Sequence, residues 1–91
     1  MFDLVISGGN VIDGTGAPRQ RADVGIRQDR IVAVADDLSS ADCSQRIDAT
    51  GRIVAPGFID VHNHSDAWLR KIPHIVAKTA QGFTTEVIMA D

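Results

Sequence analysis

Two histidines set two residues apart, His62 and His64, are the residues of this chain whose type and spacing most directly suggest chemistry. They lie in Pro56-Gly57-Phe58-Ile59-Asp60-Val61-His62-Asn63-His64-Ser65-Asp66, whose apolar and β-branched residues predict a strand entered through Pro-Gly. Side chains in a strand alternate between faces, so Asp60, His62 and His64 share one face and Ile59 and Val61 take the other. Two imidazoles at i and i+2 can aim their nitrogens at one point, which is what a single divalent cation with a preference for nitrogen requires. A purely structural strand has little use for three polar groups on one face, because burying them unpaired is costly. The cluster is more easily understood at the mouth of a pocket. Asp60 either orients an imidazole from behind or hydrogen-bonds the preceding loop.

Other reactive side chains are weaker candidates. Cys43 sits in the polar stretch Ser39-Ser40-Ala41-Asp42-Cys43-Ser44 with no base nearby in sequence, and reads as an incidental loop residue. His74 precedes an apolar helical stripe and reads as a surface residue, and Trp68 as a packing residue. Gly8-Gly9 and Gly14-X-Gly16 do not form a nucleotide site, because β-type sequence follows them where a helix would be needed.

The elements that must position the histidines divide at about Ala55. Before it, short β-prone runs alternate with turn residues. Phe2 to Ile6 predicts a strand, Gly8-Gly9 a tight turn, and Asn10 to Ile12 a returning strand. Ala22 to Arg27 alternates, with Val24 and Ile26 on one face and Asp23, Gly25 and Arg27 on the other. Gln28-Asp29 turns the chain into Arg30 to Ala35, an apolar run short enough to be a buried strand. A polar loop from Asp36 to Gln45 leads to Arg46 to Ala49, and Thr50-Gly51 turns into Ile53 to Ala55. Closely spaced strands of this kind predict an antiparallel sheet or half a β-sandwich. After Ala55 come the histidine strand, a helix over His74 to Gln81 stopped by Gly82, and a β-branched strand from Phe83 to Met89. Strand, helix, strand is a βαβ unit, which implies a parallel pair joined by a right-handed crossover. The fold class expected is α/β, with residues 1–55 and 56–91 as two portions.

Composition narrows the function. Ninety-one residues with 44% hydrophobic content suit one modest globular domain with a small core. Nine Lys and Arg against twelve Asp and Glu give a formal charge of −3, which argues against nucleic acid as the main partner. No apolar run approaches membrane-spanning length. The start Met1-Phe2-Asp3-Leu4 lacks a basic leader, and a single cysteine cannot form an internal disulfide. Both point to a cytoplasmic protein without a membrane partner.

Gly51-Arg52-Ile53-Val54-Ala55-Pro56-Gly57-Phe58-Ile59-Asp60-Val61-His62-Asn63-His64 resembles the start of the catalytic barrel in the amidohydrolase superfamily, which includes dihydroorotases, hydantoinases and D-aminoacylases. Leu4 to Gly16 and Gln81 to Val87 look most like the D-aminoacylase, or N-acyl-D-amino-acid deacylase, branch. The resemblance spans nearly the whole chain but covers only the first part of such an enzyme. It implies that residues 1–55 belong to an N-terminal β-sandwich portion. Residues 56–91 would then begin a TIM-type (β/α)8 barrel, incomplete here, with strand 1, helix 1 and strand 2. Metal-dependent hydrolases of this kind work at the C-terminal ends of their barrel strands.

The resemblance also implies roles. His62 and His64 would bind a divalent metal, usually zinc, as one or two ions. The reaction would be hydrolysis of the linear amide bond of a small N-acyl-D-amino acid, with cyclic amide hydrolysis of the hydantoinase or dihydroorotase type as the alternative. In the branch pattern, the strand after Gly-X-Thr-Thr ends in a metal-ligating cysteine, and Asp91 occupies that position. A carboxylate there is a harder ligand than thiolate; the competing reading is a solvated loop aspartate. Asp66 matches a position on the substrate side of the pocket, against a helix-capping role. The catalytic aspartate is expected beyond Asp91, so this chain alone is expected to be inactive. A third reading makes it a non-catalytic piece that is stable only by self-association or by association with the rest of a barrel.

Overall fold

The β-branched runs of the first 56 residues become five strands. In the computed structural model, which describes residues 1–60 and 79–86, they are β1 (Phe2–Val11), β2 (Gln20–Arg27), β3 (Arg30–Ala35), β4 (Cys43–Asp48) and β5 (Ile53–Val54). They form one sheet in the order β3-β2-β1-β4, with β5 also pairing β1. β2 runs antiparallel to β1 and β3, whereas β4 and β5 run parallel to β1. The sheet is mixed, not antiparallel as the strand spacing suggested. The connection from β3 to β4 is the cause. It leaves one edge, passes β2 and β1, and delivers β4 on the far side in the direction of β3, a crossover that parallel pairing requires.

Gly8-Gly9 do not turn the chain back. They lie inside β1, which runs unbroken for ten residues. Ile6 pairs Val24 and Gly9 pairs Ala22, so Ser7 and Gly8 together face the single residue Asp23. That is a β-bulge, and Gly8 takes the left-handed φ of +76° that such a kink asks of its glycine. The extra residue changes the phase of the strand. Ile6, Gly9 and Val11 share the face of Val24 and Ala22, and Asn10 is turned away from it.

Asp23 holds this bulge together. It is 2% exposed, although alternation sets it with Gly25 and Arg27 on the face away from Val24 and Ile26. Its Oδ1 accepts the Gly8 N–H at 2.8 Å and its Oδ2 accepts the Leu38 N–H at 2.8 Å. One carboxylate thus satisfies a donor freed by the bulge and a donor of the crossing loop. The Leu38 N–H, then the Gly8 N–H, hold its pKa below the usual carboxylate value, with Arg21 adding to them against the cost of burial. Arg46 secures the loop from the other side, its Nη2 donating to the carbonyls of Leu38 at 3.2 Å and Ala41 at 3.0 Å.

The core is small. Val11, Ala22 and Val24 are buried together, with Ile6, Ile26 and Val54 packed against them. On this face the sheet holds an apolar groove of about 270 Å³, lined among others by Ile6, Val11, Ile26, Ile31, Val34 and Val54. β3 is an edge strand and not a buried one: Ile31 is 67% and Val34 53% exposed. Val32 has no partner position between the pairs Gly25–Ala33 and Ile26–Ile31, so β3 carries its own bulge. A bulged edge is a poor template for adding another strand. The β2–β3 turn is tight, with Gln28 at φ +57° and its N–H held by Asp3 Oδ2 at 2.5 Å.

The chain divides into two compact units, Met1–Pro56 and Gly57–Asp91. In the second, the described strands are β6 (Phe58–Asp60) and β7 (Phe83–Glu86), which pair in parallel. Thr79 is helical and Ala80, Gln81 and Gly82 form a turn, so helical backbone stops two residues before the predicted end at Gln81. The predicted start of that helix lies outside the described residues. Among the described residues, no helix is long and apolar enough to cross a membrane.

Candidate functional site

Of the site predicted from sequence, the structure describes Asp60, in β6. Local chemistry explains how this strand begins. The Phe58 N–H donates to the Gly82 carbonyl at 2.8 Å, and the Gly82 N–H donates to Thr79 at 3.0 Å, so the turn before β7 also anchors the start of β6. The rings of Phe58 and Phe83 meet edge to face, with centroids 5.7 Å apart and planes at 63°. Such a pair contributes about 0.5–1.5 kcal/mol beyond its area.

The register then shifts. Phe58 pairs Phe83 but Ile59 pairs Thr85, which leaves Thr84 as the extra residue on β7. Thr84 presses on Gly57: a Cβ built there would come within 2.0 Å of the Thr84 hydroxyl oxygen. Only glycine fits at that approach. The Pro-Gly read as a strand entrance therefore has a second reason to be there, because the neighbouring strand fills the space a side chain would need.

Asp60, in β6, is half-buried and pairs with Glu86 on β7. The sequence reading named Asp60; its register partner Glu86, 26 positions later, was not among the named residues. The signal was available: both strands open on Gly-Phe, and counting from those openings with one residue inserted at Thr84 brings Asp60 and Glu86 into register. The remaining predicted site residues, His62, His64, Asp66 and Asp91, lie outside the described residues, as do Trp68 and His74. Among the described residues, no group of three or more His, Cys, Asp or Glu is placed to hold a metal ion. Cys43 begins β4, is partly buried and forms no disulfide.

No protein-family profile matches the chain. Individual proteins do. An N-acyl-D-glutamate deacylase of Alcaligenes xylosoxydans xylosoxydans is 58% identical over 87 residues, which is 96% of this chain and 18% of the relative. The structure of an N-acyl-D-glutamate deacylase from Bordetella bronchiseptica, complexed with zinc and a phosphonate inhibitor that mimics the reaction's tetrahedral intermediate, matches with a TM-score of 0.90 and 50% identity. That match covers 96% of this chain and 18% of the deacylase. A D-aminoacylase structure from work on that enzyme's binuclear metal center matches with a TM-score of 0.88 and 52% identity, over 94% of this chain and 18% of the other.

The chain belongs to the amidohydrolase superfamily. Within it, these identities put the chain in the D-aminoacylase branch, and it corresponds to the N-terminal part of those enzymes. It spans 18% of the length of the curated deacylase it matches.

Proposed function

We propose that this chain is the opening portion of a metal-dependent hydrolase that cleaves the linear amide bond of N-acyl-D-amino acids. The observation that carries the proposal is the 58% identity to an N-acyl-D-glutamate deacylase across 96% of the chain. The parallel strand pair supports it, because β6 includes Asp60, two residues before the first histidine of His62-X-His64. In this reading β6 and β7 are the first two strands of a (β/α)8 barrel and residues 1–55 are part of a small β-sandwich domain. A cytoplasmic location belongs to the same proposal and rests on Cys43 being the lone cysteine.

The donor set suits the metal chemistry named for the relatives. His62 and His64 would supply two neutral nitrogen ligands, and Asp91 a carboxylate where the branch carries cysteine. A bound divalent ion, zinc in the first instance, supplies an acidified water and a polarised amide carbonyl. Asp60 is a positioning residue that accepts a hydrogen bond from an imidazole and fixes its tautomer. Asp66 helps to orient the substrate.

The test is zinc content and hydrolysis of N-acetyl-D-glutamate by the enzyme that contains this chain. His62→Ala is expected to lower activity by more than the roughly 10–100-fold that losing a residue behind a ligand costs. It should also release zinc by elemental analysis. Full zinc occupancy and full activity in that variant would remove His62 from the ligand set. Turnover of hydantoins in place of N-acyl-D-amino acids would transfer the proposal to cyclic amides.

A second reading concerns the 91-residue polypeptide by itself, and the open face of the five-stranded sheet favours it. Ile12, Ile31 and Val34 are exposed there around the apolar groove. Uncovered apolar surface of this kind drives association, so the isolated polypeptide is expected to self-associate. Sedimentation velocity at micromolar concentration decides it, and a stable monomer would sink this reading.

A further inference from the structure

We draw no further inference here: the strongest candidate, the apolar groove on the open face of the five-stranded sheet between β3 and β5, carries nothing because nothing in the structure shows what covers it.

Discussion

Replacing Asp23 with alanine is the sharpest test of how the N-terminal unit is held together. The substitution removes one carboxylate and strands two backbone donors, the N–H groups of Gly8 and Leu38, each now bonded at 2.8 Å. A buried donor left without a partner costs about 1–3 kcal/mol. Both sites are only partly shielded, so two such losses come to about 2–5 kcal/mol. At roughly 0.05–0.15 kcal/mol per residue, a unit of this size is stable by only about 3–8 kcal/mol. Asp23→Ala should therefore unfold much of the population without denaturant, read as lost strand signal in far-ultraviolet circular dichroism and a collapsed urea midpoint. Asp23→Asn keeps one acceptor and turns an amide N–H₂ toward the other donor, so its loss should be intermediate. If both variants unfold within about 0.5 kcal/mol of the parent, the ordinary range for surface changes, the bridging role is wrong. Acid offers an independent check. The Asp23 pKa is lowered in the folded state, so its stabilisation is complete above the usual carboxylate value of 3.8 and is lost as pH falls through the folded value. Asp13, Asp37 and Asp48 are lowered too, by hydrogen bonds from Thr15, Ser39 and Thr50, and will keep some acid dependence in any variant. The difference between parent and Asp23→Asn below pH 4 isolates the Asp23 share.

Gly57→Ala should force β6 and β7 apart, because the new methyl would collide with Thr84. Faster amide exchange at Phe58, whose N–H bonds Gly82, is the expected signature, with partial recovery in Gly57→Ala/Thr84→Gly; unchanged protection at Phe58 would contradict the close approach. Gln28→Gly should stabilise the first unit. It removes a left-handed cost of about 1–2 kcal/mol against a glycine entropy cost of about 0.5–1 kcal/mol, and the bond to Asp3 uses only the backbone N–H. A lower urea midpoint in that variant would refute the gain.

Strands were legible in the sequence where alternation and composition agree. Val24 and Ile26 marked β2, Arg30 to Ala35 matched β3 to the residue, and Ile53-Val54 was read as β5 with one residue to spare. What a strand pairs with was less visible. Gly8-Gly9 has turn chemistry, and only the partner strand shows that it makes a bulge opposite Asp23. The role of Asp23 was not legible, because its two donors come from positions 15 residues away on either side. The burial expected for β3 failed for a similar reason: an apolar run reports β-propensity, whereas its place at a sheet edge depends on chain order. At the candidate site, spacing singled out His62 and His64, which lie outside the described residues, and Asp60 was named for sharing their face. Glu86 was invisible without the register of β7.

The bulge in β1 has a consequence for how this sequence tolerates change. A strand works like a two-beat rhythm, and Ser7-Gly8 inserts a syncopation that lets residues before and after it keep time with the same side. Deleting either one would remove the extra beat and leave Gly9, Asn10 and Val11 on the faces they already hold, at the cost of the kink opposite Asp23. Mutational scans should find deletion of Ser7 or Gly8 less damaging than deletion of Asn10, which would carry Val11 to the opposite face.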